Sequence, residues 1–86
     1  KLRAFNWNVA PNFYDGHCVS EILDSLDWIG RQTRWPVAVI YSTCKGRGVS
    51  FMENKACWHG APIDDESYAR GRPELWKTLK ELEAQL

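Results

Sequence analysis

The run Pro36-Val37-Ala38-Val39-Ile40-Tyr41 limits the possible folds of this chain more than any other segment. A continuous, β-branched apolar stretch fits a strand covered on both faces, the usual condition of strands in parallel sheets. A long glycine-punctuated segment follows it: Lys45-Gly46-Arg47-Gly48-Val49-Ser50-Phe51-Met52-Glu53-Asn54, closed by Trp58-His59-Gly60-Ala61-Pro62. In open α/β sheets, ligands sit outside the carboxyl ends of the strands, so chemistry is expected in this loop. Lys45 offers a positive charge to a phosphate. Gly46 and Gly48 allow backbone amides a close approach, and His59 is a candidate proton carrier or donor. Each also has a plain structural reading. Exposed lysine is the norm, glycines serve turns, and an imidazole is often satisfied by its surroundings.

The rest of the chain alternates around that strand. Residues 1–5 read as a helix end, with Asn6 as a left-handed cap. Trp7-Asn8-Val9-Ala10 is a first strand, interrupted by Pro11 and Asn12, and Asp15-Gly16 marks a turn. From Val19 the period becomes helical: Val19, Ile22, Leu23, Leu26 and Ile29 share one face, over residues 19–30. Gly30 weakens or ends this helix, Trp35-Pro36 forces an extended approach, and residues 37–43 form the second strand. Asp64 or Asp65 caps a final helical region. Gly71 and Pro73 split that region, leaving a helix near 73–85 with an apolar stripe of Leu75, Trp76, Leu79, Leu82 and Leu86. The order strand–helix–strand–loop–helix implies a parallel βαβ unit. Two parallel strands cannot cover themselves, so the chain reads as an α/β fragment of a larger doubly wound sheet. It reads as one partial domain over residues 1–86.

Composition excludes several classes. Eleven basic and eleven acidic residues give no basic field for nucleic acid or anionic lipid. No apolar stretch approaches the roughly 18 residues of a membrane span, and no signal peptide opens the chain. The opening Lys-Leu-Arg-Ala-Phe, without Met, suggests a piece of a longer protein. Cys18, Cys44 and Cys57 are an odd number without framework spacing, which favours free cytoplasmic thiols over a disulfide scaffold. A metal set can be drawn from His17, Cys18, Cys44, Cys57 and His59. There is no Cys-x-x-Cys, and Cys57-x-His59 is not a usual zinc pair. The spacing also allows a Cys57–His59 thiol–imidazole pair, but i,i+2 residues in a loop set no geometry. The acidic trio Asp64-Asp65-Glu66 suits a helix N-terminus rather than a carboxylate dyad.

The ordered combination Asp15-Gly16-His17, amphipathic helix, Lys45-Gly-Arg-Gly-Val-Ser-Phe-Met-Glu-Asn54 and Trp58-His59-Gly60-Ala61-Pro62 resembles transketolase. It is similar to the C-terminal part of that family's diphosphate-binding domain, from Phe5-Asn6-Trp7 to the helix after Pro62. Transketolases move a two-carbon ketol unit between sugar phosphates on thiamine diphosphate and Mg²⁺. The resemblance implies that Lys45 and His59, fourteen positions apart, reach the cofactor, with His59 also near the donor's hydroxyl oxygen. It implies a homodimeric parent that takes sugar phosphates.

The chain departs from the family in several places. Asn6 stands where Gly is usual before Trp, residues 10–14 are a longer link than usual, and Cys18 is a poor cap where Asp or Ser is common. The family's Gly-Asp-Gly…Asn metal motif is not in this stretch, nor is the domain that carries the glutamate for ylid formation. Three readings follow: a transketolase piece inactive alone, a small subunit completing a split enzyme, or a non-catalytic binding or structural domain on the same scaffold. The first is preferred. It carries the expectation that this chain binds no cofactor tightly without the remainder of the parent or a complementary subunit.

Overall fold

The computed structural model describes residues 1–86, which form two compact units, Lys1–Thr43 and Cys44–Leu86. The first unit is built on two parallel strands, β1 (Asn8–Asp15) and β2 (Val37–Ser42), joined through helix α1 (Val19–Gly30). This is the βαβ unit that the alternating pattern implies. A short 3₁₀ turn, Leu2–Phe5, leads into β1, and Asn6 ends it in the left-handed conformation at φ 65°. Asparagine enters that region more readily than most residues, and the Asn6 amide closes the turn by donating to the Arg3 carbonyl at 3.0 Å.

β1 is longer than the expected four-residue strand. It continues through Pro11 and Asn12 because the ladder accommodates them as a bulge. Val9 pairs with Ala38 and Phe13 with Ile40, so three residues of β1 face one of β2. Proline is tolerated at such a place because the bulged residues do not donate to the ladder. The long link between Trp7 and Asp15 is therefore sheet, with its surplus absorbed in the bulge.

α1 covers one face of this sheet. Ser25 is fully buried there. Its hydroxyl donates to the Ile22 carbonyl at 2.7 Å and also hydrogen-bonds the Tyr41 hydroxyl of β2. The Tyr41 ring lies 6.2 Å from that of Tyr14, its register partner. At the other end of the helix, Asn8 Nδ2 donates to Gln32 Oε1 at 3.0 Å and to the Arg34 carbonyl at 3.2 Å. These bonds pin the start of β1 beside the exit from α1. Side chains alternate across a strand, so Phe13 and Ile40 point to the face opposite the tyrosines. That face is bare: Phe13 is 76% exposed.

The second unit pairs the segment after β2 with helix α2 (Asp65–Glu83). Asp64 is the N-cap, and its carboxylate accepts the Ser67 amide at 2.7 Å. This bond holds its carboxyl below the usual range, with the Ser67 hydroxyl contributing in second place. α2 is one helix, not two regions split at Gly71 and Pro73. Pro73 removes the bond to the Ala69 carbonyl and costs about 3 kcal/mol in a helix interior. Packing on both sides of it carries the helix through. A Cβ placed on Gly71 would lie 3.3 Å from Val49 and 3.6 Å from Phe51, and Glu74 and Leu75 meet the same loop.

Candidate functional site

The carboxyl ends of the strands are fixed by backbone and carboxylate bonds. After β1, the Gly16 amide donates to the Ser42 carbonyl at 2.9 Å, and the His17 amide donates to Asp15 Oδ1 at 2.8 Å. A glycine suits this approach: a Cβ there would stand 2.6 Å from Thr43 Cγ2 and 3.3 Å from the Ser42 carbonyl oxygen, so a larger residue would have to displace the Thr43 side chain. The Asp15 amide donates in turn to the Glu21 carboxylate of α1. Cys18 is the N-cap of α1 and makes no capping bond, in keeping with the poor cap expected from its thiol.

Lys45 opens the loop of the second unit. Its carbonyl accepts the Asn54 amide at 2.9 Å, which closes the segment on itself. Asn54 is left-handed at φ 57°, and Gly46 and Gly48 also have positive φ, at 73° and 94°. These conformations favour glycine, and Gly46 has a second reason to be one. A Cβ there would fall 2.6 Å from the Met52 carbonyl oxygen. The loop's amides are largely satisfied from within. Arg47 donates to Cys44 and Val49 donates to Gly46, both at 3.2 Å. Gly48 donates to Glu53 Oε1 at 3.1 Å, and Ser50 donates to Glu74 Oε2 at 2.7 Å. Of the two glycine amides expected to face a phosphate, that of Gly48 faces the Glu53 carboxylate, and both glycines serve closure of the loop through their positive φ.

Two long-range anchors tie this loop to α2. Ser50 gives both its amide and its hydroxyl to the Glu74 carboxylate, the hydroxyl at 2.8 Å. The amide bond, then the hydroxyl bond, holds the Glu74 carboxyl below its usual range, and the Arg70 charge adds to them. The second anchor is aromatic. The Arg70 guanidinium lies 4.3 Å from the centre of the Phe51 ring, and Phe51 meets Trp58 edge-on at 5.8 Å. Trp58 directly precedes His59, the last residue of the 3₁₀ turn Ala56–His59.

Lys45 and His59 therefore lie in the same unit, both exposed, at the two ends of the anchored segment. Neither side chain makes a hydrogen bond or ion pair within the chain, so the ammonium and the imidazole are both available to a ligand. His17 is in the first unit, at the β1 turn. The Cys57 thiol is exposed and forms no hydrogen bond with His59. No group of three or more His, Cys, Asp or Glu side chains is placed to share a metal ion. Glu53, Arg70 and Glu74 went unread in the sequence, and Gly71 was read only as a helix breaker. Glu53 was visible only as a member of the motif, and Glu74 lies 24 positions from its partner with no local signal.

A parallel βαβ unit followed by an anchored Lys-Gly-x-Gly loop and a Trp-His-Gly turn defines an α/β protein with its exposed polar groups beyond the second strand. Comparison with known proteins makes this specific. The chain is 36% identical to transketolase of Mus musculus and of Homo sapiens over 63 residues, which are 73% of this chain and 9% of those proteins. It is 34% identical over 77 residues to the 6-deoxy-6-sulfo-D-fructose transketolase subunit SqwG of Clostridium sp. (strain MSTE9), 90% of this chain and 27% of that one. The transketolase-like protein 2 of Bos taurus is 33% identical over 66 residues. No family model matches the chain. The chain is transketolase-related, and it spans between about a tenth and a quarter of the length of these relatives.

Proposed function

We propose that this chain forms part of the diphosphate-binding domain of an enzyme that transfers a two-carbon ketol unit between sugar phosphates, using thiamine diphosphate and Mg²⁺. The observation that carries this reading is the similarity to transketolases, joined to the pair of uncommitted exposed groups, Lys45 and His59, in the motifs that the resemblance singles out. The residues fit the organic cofactor. An ammonium suits a diphosphate as a point charge, and an imidazole N–H suits an oxygen that gains charge. Thiamine diphosphate, when bound, stabilises the carbanion formed when a ketose carbon–carbon bond breaks. Lys45 binds diphosphate, and His59 donates a hydrogen bond or carries a proton at the donor's hydroxyl oxygen. The ligands for Mg²⁺ and the base for cofactor activation come from the remainder of the parent, read as a cytoplasmic homodimer.

Alone, the chain neither transfers ketol units nor holds the cofactor tightly. Two charge-assisted contacts at about 1.5–3 kcal/mol each offset only the lower end of association costs of about 4–15 kcal/mol and leave little over for tight binding. In the longer protein, His59→Ala lowers kcat/KM by about 10²–10³-fold, the usual effect of losing a donor to developing charge. Lys45→Ala raises the cofactor concentration for half-saturation and leaves saturated kcat closer to wild type. Steady-state kinetics of both variants test the reading, and wild-type values for both overturn it. Micromolar binding of cofactor and Mg²⁺ to the isolated chain, measured by calorimetry, means that the site has been misplaced.

A second reading has one observation in its favour. The clostridial relative, matched over 90% of this chain, is by name a subunit. The chain then belongs to a small subunit whose partner chain completes the site. Co-purification with a partner that supplies the metal ligands distinguishes this from a single-chain parent.

A further inference from the structure

We propose that Glu74 is a positioning residue: by gripping Ser50 through both its amide and its hydroxyl, it fixes the loop that presents Lys45. This rests on the functional reading above.

The geometry is specific. The two carboxylate oxygens of Glu74 are divided between the two Ser50 donors, at 2.7 and 2.8 Å. A carboxylate held by two donors resists rotation, and bonds to an ionised acceptor are among the stronger ones. Ser50 is the midpoint of the closed segment, four residues before Asn54 returns to the Lys45 carbonyl. A pull on Ser50 therefore reaches Lys45 through a short path with internal bonds: Gly48 to Glu53, Val49 to Gly46, and Asn54 to Lys45. The same stretch of α2 supports the backbone directly. Gly71 lies against Val49 and Phe51, and a Cβ on Gly48 would stand 3.2 Å from Leu75. Without the latch, the loop keeps its internal closure and loses its tie to the helix. Lys45 then samples positions away from the diphosphate, and the fraction of loops able to bind falls. Apparent affinity falls with that fraction, while the saturated rate holds, because bound cofactor selects the latched form.

The test uses the full-length protein and thiamine diphosphate itself, at fixed saturating Mg²⁺. Glu74→Ala raises the cofactor half-saturation roughly tenfold, the scale of one lost charge-assisted bond, and leaves saturated kcat within about twofold. Glu74→Gln restores most of the affinity, since its amide oxygen still accepts the Ser50 N–H and its amide nitrogen can donate to the hydroxyl. Ser50→Ala has a smaller effect than Glu74→Ala, and the double variant is no worse than Glu74→Ala. Trypsin cleavage after Lys45 and Arg47 is faster in Glu74→Ala than in Glu74→Gln, which separates a released loop from a general loss of fold. Lys45→Ala is the control. If Lys45→Ala weakens cofactor binding and Glu74→Ala does not, the latch is wrong and the functional reading stands. If Lys45→Ala is also silent, both fall. A loss of kcat without a change in half-saturation in Glu74→Ala likewise overturns the positioning role.

Discussion

The two units of the chain are held together by different means. In Lys1–Thr43 the acceptors are mostly backbone carbonyls: a parallel ladder, a helix, and the Ser42 carbonyl taking the Gly16 amide. In the 44–55 segment there is no ladder, and side-chain carboxylates on Glu53 and Glu74 take amides that a sheet would have paired. The first arrangement repeats and tolerates substitution at many positions. The second depends on a few pairs, each with a single geometry. The groups proposed to meet the cofactor lie in the second, as is common where loops carry function on a regular scaffold.

The largest expected effect tests what both units share, which is bare apolar surface. Trp35 is 65% exposed, and Trp76 and Leu82 remain about half exposed on α2. A small domain with so little covered surface is marginal. The isolated 86-residue chain is expected to associate, or to melt at or below the usual mesophile range of about 45–65 °C. Light scattering and a thermal scan decide this. A strict monomer with a cooperative melt well above that range would show that neither unit needs covering.

Next comes a pair of glycines, one in each unit. Gly46→Val forces a β-branched residue to φ 73° with a Cβ 2.6 Å from the Met52 carbonyl. A strained φ of this kind costs about 1–3 kcal/mol before any clash. Gly30 ends α1 and has nothing within 4 Å of an added Cβ. Gly30→Ala should therefore stabilise by roughly 0.4–1 kcal/mol through the unfolded chain. Denaturant melts of the protein carrying each change check the contrast. Equal effects at the two glycines would erase the distinction between a repetitive and a pairwise unit.

Within the regular unit the most sensitive point is the buried serine. Ser25→Ala removes the hydroxyl that joins α1 to the Tyr41 hydroxyl. Losing one partner of a buried bond costs about 1–3 kcal/mol, less where water reaches the other, and Tyr41 is only half-buried. A loss of about 1 kcal/mol is expected in chemical denaturation. Recovery when Tyr41→Phe is added would identify the unpaired hydroxyl as its cause.

What could be read from the sequence follows the same division. α1 occupies the residues that its apolar period assigns, 19–30, but the face it turns inward carries Ile22, Ser25 and Ile29, while Val19, Leu23 and Leu26 of the expected stripe stay more than half exposed. Asn6 and Asp64 act as caps because capping is local: Asn6 turns left-handed and gives its backbone amide to the Arg3 carbonyl, and Asp64 gives its carboxylate to the Ser67 amide. The parallel pairing follows from a strand–helix–strand order. The expectation fails wherever a distant contact overrides a local rule. β1 passes through Pro11 because β2 accepts a bulge, and α2 passes through Pro73 because the 48–51 segment packs on both sides of it. Lys45 and His59 were legible as chemistry-bearing types in a motif. Glu74 was not, because no period or spacing links position 74 to position 50.

The smallest effect is on acid sensitivity, and it separates the two kinds of acceptor directly. The carboxyls of Glu74 and Asp64 are both held below their usual range, chiefly by the amides of Ser50 and Ser67 respectively. A carboxyl whose folded pKa is depressed contributes stability that is complete above its unfolded pKa. The contribution is lost as pH falls through the depressed value. The two bonds should thus be intact at neutral pH and weaken below about pH 4, the ordinary carboxylate range. The Ser67 amide is in the first turn of α2 and has no acceptor within the helix, so its protection depends on Asp64. The Gly16 amide donates to a backbone carbonyl, which does not titrate. Hydrogen exchange, corrected for the intrinsic rate at each pH, should show the protection of Ser50 and Ser67 unchanged from about pH 6 to about pH 4 and falling below that, while that of Gly16 holds. Parallel loss at all three amides would mean that acid opens the two units together. Unchanged protection at Ser50 would mean that the loop is held on α2 by Gly71, Phe51 and Leu75 rather than by the Glu74 carboxylate.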